Sequence, residues 1–347
     1  MTSTDFADQG GTGPLPPSAD QPRRIDPGIS SSDVTFRNGV RMVGLFVMLI
    51  VGAIGVFLGY KLVPTIGHYG WHYFAETDFN PGRNIVGIRA AVVGTLVVAV
   101  IALVIAFPLA LLCALYISEY APVRLRSWLI SIVDLMAAIP SIVYGIWGEL
   151  FLMPHMLYVS RWLSEWFGFL PIFKVSGAHP RAASLTSGGG ATRYEQSAFI
   201  AGTVVALMVI PLATSLMRNV FSQAPIGERE GAYALGASRW GMIRSVVLPF
   251  GRGGIIGATM LGLGRALGET VAVLLIINGT FEVKVKILET GGVTISSLIA
   301  GKFEAATGTQ LSALLAAGFV LFMMTLVVNT LAAVVISRSR SGAGVDI

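Results

Sequence analysis

Two ionisable residues lie inside a long apolar run in the last third of the chain. The stretch GLGRALGETVAVLLII, residues 262–277, contains Arg265 and Glu269. A charged side chain at mid-bilayer costs about 2.5–3.5 kcal/mol on insertion scales, so ionisable groups within a membrane span are functional candidates. An arginine fork matches the oxygens of an anion, and a nearby carboxylate can neutralise the arginine when no anion is bound. The residues therefore predict anion binding, with a structural i,i+4 salt bridge as the alternative.

A helix through this run would place both charges on a face of small residues. At 100° per residue, Arg265 shares its side of the helix with Glu269, whereas the opposite side is aliphatic. The first face holds Ala258, Gly262, Arg265, Glu269, Ala272 and Ile276, and the second holds Ile256, Met260, Leu263, Leu267 and Leu274. We predict that the first face borders a polar passage.

A second apolar run contains a proline followed by two hydroxyl side chains. In AAIPSIVYGIWG, residues 137–148, Pro140 removes a backbone donor and is followed by Ser141 and Tyr144. These hydroxyls could line the passage, or they could satisfy carbonyl groups freed by the proline. Asp134 is a further acid in this run, either a gate residue or a partner for a basic group on another subunit.

The elements that position these residues are predicted to be membrane helices. The 347 residues are 54% hydrophobic and 12% charged, and the mean hydropathy is +0.73, whereas soluble domains are roughly 25% charged. Six apolar runs are long enough to cross about 30 Å of hydrocarbon. They cover about 43–63, 89–116, 127–152, 198–217, 254–277 and 313–336. We predict an all-α integral membrane protein with six spans.

Charge and composition define the connections between these spans. Residues 1–38 and 338–347 are predicted to be cytoplasmic tails, the first of them disordered, around a membrane domain at 39–337. Arginine near the predicted inner span ends places both termini in the cytoplasm. The net charge of +5 is spread over short loops, which argues against nucleic-acid binding. The loop at 153–197 opens with aromatic residues at helical spacing, which predicts a short helix at the membrane surface.

The inner connection between the fourth and fifth spans is too long for a simple turn. We call residues 227–249, GEREGAYALGASRWGMIRSVVLP, the coupling segment. Glu228 and Glu230 lie where they complement a helix amino terminus, and small residues follow. Gly231, Ala232 and Gly236 leave the backbone accessible, and Trp240 offers an apolar contact. The segment either docks into a cleft on another protein or lies on the inner leaflet as an amphipathic helix.

The coupling segment resembles the signature loop of bacterial ABC importer permeases. That loop reads E-A-A, three residues, G, nine residues, then I-x-L-P. Here Glu230, Gly231, Ala232 and Gly236 occupy the first positions, and Val246, Leu248 and Pro249 occupy the last. The stretches 137–148 and 262–273 are similar to spans of PstC-type permease subunits of phosphate importers, and the resemblance extends over most of 40–337.

This resemblance implies a fold, a function and a set of partners. The fold is the six-helix type I importer (MetI-like) permease, and the function is a permease subunit that moves inorganic phosphate. The implied partners are a PstA-like permease, a PstB-like ATPase dimer, a PstS-like extracytoplasmic binding protein and the lipid membrane. No cofactor is implied, and the chain has no P-loop for ATP. Permeases for molybdate or sulfate, and a self-sufficient secondary transporter or channel, are the alternatives.

Overall fold

The computed structural model describes residues 31–175 and 193–339. Within them, six helical stretches are long and apolar enough to cross a membrane. They are Ser32–Tyr69, Arg89–Tyr120, Ser141–Phe167, Ala198–Ser222, Arg239–Gly268 and Thr309–Ser337. The predicted all-α fold with six spans is confirmed, although the third and fifth spans differ from the prediction in their bounds.

The described residues contain thirteen α-helices. The first seven are α1 Ser31–Tyr69, α2 His72–Ala75, α3 Arg89–Leu115, α4 Val123–Ala138, α5 Ser141–Trp147, α6 Met153–Phe167 and α7 Ala198–Ser222. The remaining six are α8 Ile226–Ala234, α9 Arg239–Met242, α10 Leu248–Gly268, α11 Val271–Ile276, α12 Ile295–Lys302 and α13 Thr309–Ser339. Three wider helical turns continue these helices. The turn Tyr116–Tyr120 extends α3, Gly148–Leu152 joins α5 to α6, and Ile243–Val247 joins α9 to α10.

A small hairpin lies between the first two spans. Its strands, β1 Phe79–Asn80 and β2 Ile85–Val86, pair antiparallel across the short helix Pro81–Arg83. In the same connection, the buried Tyr73 hydroxyl donates to the carbonyl of Ala313 at 2.7 Å. Burial raises the pKa of Tyr73, so this hydroxyl remains a hydrogen-bond donor that anchors the connection to α13.

The chain divides into two compact units, Met1–Ala53 and Ile54–Ile347. The first unit contains the amino-terminal part of α1, and all functional residues discussed below belong to the second. Residues 1–30 and 340–347, which hold most of the predicted tails, lie outside the described residues. Because α1 begins at Ser31, the tail boundary predicted at residue 38 falls inside a helix.

The packing of α3 against α7 forms the centre of the second unit. Alanines dominate the contact surface of α3, and Gly202 of α7 lies directly against Ile101. The buried alanines of α3 that belong to this core are Ala99, Ala102, Ala106, Ala110 and Ala114. Small side chains let membrane helices approach closely, and close approach is what drives their association in lipid. The helix α10 packs against both α3 and α7.

The predicted third span, 127–152, is wrong in its bounds because the helix breaks before Pro140. Ile139 adopts an extended conformation with ψ 130°, since a residue that precedes proline is disfavoured in the helical region. The helix α4 therefore ends at Ala138, and the span runs from Ser141 to Phe167. The predicted surface helix after residue 153 is the continuation of this span rather than a separate element.

The predicted fifth span, 254–277, is also wrong because α10 ends at Gly268. Glu269 has φ −65° and ψ 126°, and a new short helix begins at Val271. The face predicted to carry both Arg265 and Glu269 is thus interrupted between them. Leu267 was predicted to lie on the aliphatic side, opposite the polar face, and its side chain is only 2% exposed because it is buried in the helical core. A glycine at 268 weakens the helix at this point, and the Glu269 carboxylate supports the helix that follows.

Candidate functional site

Arg265 borders an open recess between three membrane helices. The recess has a volume of about 330 Å³ and is lined by Leu212 of α7, by Leu261, Gly264 and Arg265 of α10, and by Thr325 and Asn329 of α13. The side chain of Arg265 is half-buried, and its Nε has no hydrogen-bond partner. In the part of the chain that the structure describes, no carboxylate forms an ion pair with Arg265. Its positive charge is therefore available to an anion in the recess.

Asn329 is a polar residue of the recess that our sequence analysis missed. It is exposed on α13, and its Oδ1 faces Gly264, where an added Cβ would lie 3.7 Å away. Thr325 lies one helical turn earlier on the same side of α13. An amide inside an apolar run was the signal that could have identified it, by the same reasoning that identified Arg265.

Glu269 is tied to backbone groups rather than to Arg265. It is 8% exposed, and its Oε1 accepts a hydrogen bond from the N–H of Ala272 at 3.3 Å. Its backbone carbonyl accepts from the hydroxyl of Ser296 at 2.6 Å. The i,i+4 salt bridge that was the structural alternative for Arg265 and Glu269 does not form between these two described residues, since the helix ends between them. Glu269 instead joins the end of α10 to α11 and α12.

Ser141 and Tyr144 lie at the break in the third span. Ser141 is the first residue of α5, and the Tyr144 hydroxyl donates to the carbonyl of Met136 at 3.0 Å across the break. This hydrogen bond supports the interpretation that Tyr144 satisfies a freed carbonyl. The residues that line the recess at Arg265 do not include Ser141 or Tyr144 within the described ranges.

Asp134 has a partner within this chain. Its Oδ1 accepts a hydrogen bond from the hydroxyl of Ser215 on α7 at 2.9 Å. The contact holds α4 against α7, so a basic group on another subunit is not needed to satisfy this oxygen.

The coupling segment folds as two short helices joined by a tight turn. Gly236 ends α8 with φ +83° and donates to the carbonyl of Tyr233 at 2.9 Å. The next N–H, of Ala237, donates to the carbonyl of Ala232 at 3.0 Å. These two bonds form a Schellman motif, which requires a left-handed residue at the position of Gly236. The Ser238 hydroxyl then caps α9 by accepting from Gly241 N–H at 3.2 Å.

The two sides of the coupling segment differ in exposure. The outward side carries acids and large apolar residues, and its members are Glu228, Glu230, Gly231, Tyr233, Leu235 and Trp240. Leu235 is 91% exposed, and no other group lies within 4 Å of a Cβ placed at Gly231. Ala232 and Met242 on the other side pack against the helical core. An exposed apolar surface flanked by charge is typical of a protein-docking site.

Arg229 was not among the site residues predicted from the sequence, and its side chain faces the helical core from α8. Its Nη1 donates to Glu119 Oε2 at 3.0 Å, and its Nη2 donates to the carbonyl of Phe221 at 2.5 Å. Its two partners belong to the ends of the second and fourth spans that lie beside the coupling segment. The sequence contained no signal for this contact, since Arg229 and Glu119 are 110 positions apart.

Comparison with known proteins gives matches along most of the chain. Residues 106–341 match the family described as the binding-protein-dependent transport system inner membrane component. The chain is 36% identical to the phosphate transport system permease protein PstC of Pasteurella multocida, covering 90% of this chain and 94% of the relative. It is 40% identical to the protein of the same name from Xylella fastidiosa Temecula1, covering 78% and 79% respectively.

A solved structure of low sequence identity shares the fold. It is a bacterial ABC transporter involved in the import of the acidic polysaccharide alginate, with a TM-score of 0.51 and 18% identity. The match covers 88% of this chain and 99% of that chain. The shared arrangement of helices supports the predicted type I importer fold.

Proposed function

This chain belongs to the family of binding-protein-dependent transport system inner membrane components, and from this premise we propose that it is the permease subunit of an ATP-driven phosphate importer. Relatives that are 36–40% identical over most of their length are phosphate transport system permeases. As a permease subunit, the chain is not an enzyme. ATP hydrolysis belongs to a separate ABC subunit, and the substrate arrives on a binding protein.

The observation that carries the substrate proposal is the unpaired arginine beside an open recess in the membrane. Phosphate carries one to two negative charges near neutral pH, and a guanidinium offers it two parallel donors while staying protonated. Arg265 has no ion pair within the described ranges, and Asn329 lies on the same recess. Arg265 contacts the passing anion, and the amide of Asn329 adds a neutral donor.

In this proposal Glu269 does not neutralise Arg265 by direct contact, as the sequence had suggested. Its charge lies one residue beyond the end of α10, and its Oε1 is engaged by the N–H of Ala272. At this position the carboxylate tempers anion binding through its negative potential, without forming a contact pair with Arg265. Ser141 and Tyr144 border the same path, with Tyr144 holding the break in the third span.

The outward side of the coupling segment is the docking surface for the ATPase. Glu228, Glu230, Gly231 and Trp240 lie on this surface, whereas Ala232 packs behind it and Gly236 forms the turn between its two helices. Leu235 and Trp240 supply apolar contacts, and the acids supply charge complementarity. ATP-driven closure of a PstB-like dimer moves the docked segment and rocks the helices around the recess. A PstA-like permease and a PstS-like binding protein complete the importer, with both termini of this chain in the cytoplasm.

Reconstitution of the complete importer tests this proposal. The chain is assembled with candidate PstA-like and PstB-like subunits in vesicles, and the loaded binding protein is supplied with labelled phosphate. We expect accumulation only with ATP and all subunits. Accumulation of molybdate or sulfate in preference to phosphate would overturn the substrate, and phosphate transport by this chain alone would overturn the ABC mechanism.

A further inference from the structure

A buried ion pair joins the coupling segment to the second membrane span. The Arg229 side chain is 20% exposed, and its partner Glu119 is 4% exposed. Both carboxylate oxygens of Glu119 are engaged, since Oε1 accepts from the Ser118 hydroxyl at 2.7 Å and Oε2 accepts from Arg229 at 3.0 Å. Arg229 also donates to the last turn of α7 through Phe221. One guanidinium therefore connects three elements.

A second contact joins the same two regions. The Arg239 guanidinium lies over the ring of Tyr120, 5.4 Å from its centroid. Arg239 begins α9, and Tyr120 ends the extension of α3. Both helices of the coupling segment are thus attached to the inner end of the second span, one through an ion pair and one through a cation–π contact.

The energetics of the ion pair point to a role other than stability. Removing two charges from water is costly, and a buried ion pair is weak support for a fold. The cost is not fully offset here, because Arg229 Nε is buried and no described residue accepts a hydrogen bond from it. Such a pair instead fixes the position of α8 relative to the end of the second span, since each charge has one favourable position relative to the other.

The second span reaches from this ion pair to the far end of the bundle. At about 1.5 Å per residue, the 27 residues of α3 span roughly 40 Å. Near its other end, the Thr95 hydroxyl accepts from the N–H of Ile295 at 2.9 Å. The adjoining Ser296 donates to the carbonyl of Glu269. A displacement of Glu119 along α3 is therefore passed through Thr95 and the α12 residues Ile295 and Ser296 to Glu269.

We propose that the Arg229–Glu119 ion pair transmits movement of the docked coupling segment to α3. Arg229 and Glu119 are positioning residues, since neither faces the recess at Arg265. The ion pair lies on the inward side of α8, so docking of the ATPase on the outward side leaves it intact. This inference rests on the proposed function of the chain as an ATP-driven permease.

Substitutions that keep the shape of the side chains test the link. Glu119→Gln, Arg229→Gln and the double variant are reconstituted in the complete importer with phosphate-loaded binding protein. Phosphate transported per ATP hydrolysed is measured, together with co-purification of the ATPase. We expect normal co-purification and a fall of roughly ten-fold or more in the transport ratio. The double variant should be no worse than Arg229→Gln alone, because Arg229→Gln already removes the ion pair as well as the bond to Phe221. Arg229→Lys, which keeps the charge, should recover part of the ratio.

Glu282→Gln is the matched control. Glu282 pairs with Lys284 at 3.6 Å and is 74% exposed, so the same chemical change at this site should leave the ratio unchanged. A wild-type ratio in Glu119→Gln would overturn the link, and loss of ATPase co-purification would assign the pair to structure and overturn it as well. Failure of the wild-type importer to accumulate phosphate would instead overturn the proposed function.

Discussion

The Glu269 carboxylate accepts a hydrogen bond from the backbone N–H of Ala272 at 3.3 Å. This contact satisfies a free donor in the first turn of α11, directly after the end of α10. Glu269 thus combines two properties that substitution can separate, a negative charge near Arg265 in sequence and a hydrogen-bond acceptor for a helix end.

Glu269→Gln should impair transport with little loss of stability. The amide keeps an acceptor oxygen for Ala272 but loses the charge. Glu269→Ala removes both and should destabilise the protein by about 1 kcal/mol, the typical cost of a lost cap. Thermal unfolding of the purified chain and phosphate uptake by the importer are measured for each variant. Equal uptake by wild type and Glu269→Gln would mean that the charge has no part in transport.

Arg265→Gln should reduce uptake by roughly ten-fold or more, because hydrogen bonds from a charged donor contribute about 1.5–3 kcal/mol. Arg265→Lys should recover only part of the uptake, since an ammonium group lacks the planar fork. Arg252→Gln on the exposed side of α10 is the control and should transport normally. Normal phosphate uptake by an assembled Arg265→Gln complex would show that Arg265 is structural.

Asn329→Leu should lower uptake several-fold while the complex still assembles. The substitution keeps a side chain of similar size and removes the amide donor from the recess that contains Arg265. Thr330→Val is the neighbouring control, because the Thr330 hydroxyl donates to the carbonyl of Leu326 in its own helix. The role assigned to Asn329 is refuted if both variants take up phosphate equally well.

Gly236→Ala should weaken the coupling segment, whereas Gly231→Ala should not. A left-handed conformation costs a residue other than glycine about 1–2 kcal/mol, and Gly236 has φ +83°. Gly231 lies in a helix with open space around it, where alanine raises helix propensity by about 1 kcal/mol. Co-purification of the ATPase should fall for Gly236→Ala and still more for Gly236→Arg, which adds a bulky charge. If Gly236→Ala and Gly231→Ala co-purify with the ATPase equally well, the left-handed turn is not the reason that position 236 is a glycine.

Reporter fusions test the orientation of the spans. A reporter that is active only outside the cytoplasm should be active when fused at Ser187 and inactive when fused after Ser238. Immunoblotting of each fusion controls for its expression. Activity at Ser238 alone would reverse the orientation and remove the coupling segment from the cytoplasm.

Hydropathy was sufficient to predict the six spans, because an apolar run of about 20 residues has few alternatives to a helix in lipid. It was insufficient for the interruptions. Pro140 marks the break in the sequence, but the residues on both sides of it are apolar, so hydropathy alone predicts one continuous span there. At Glu269 the assumption of 100° per residue carried the helix more than two turns too far, from Gly268 to residue 277. The i,i+4 pairing considered for Arg265 and Glu269 followed from that assumption.

The candidate site was predictable only where residue type contrasts with its surroundings. Arg265 stands out in an apolar run, and Asn329 offered the same contrast without a charge. Arg229 offered none, since it lies among other charged residues near an inner span end, where basic residues are common. Its function depends on Glu119, and the distance between them in the chain conceals the contact until the helices are packed.

The two helix breaks are joined by a close approach between α5 and α11. A Cβ at Gly145 would lie 2.9 Å from the Cα of Ala272, so position 145 has no room for a side chain while α11 keeps its place. In evolutionary terms, these two positions are not free to drift independently. A lineage that enlarges residue 145 must first move the backbone of the helix that Glu269 caps, and that movement would alter the end of α10 beside Arg265. A side chain added at Gly145 in the third span would therefore also disturb the fifth span, through the backbone of Ala272.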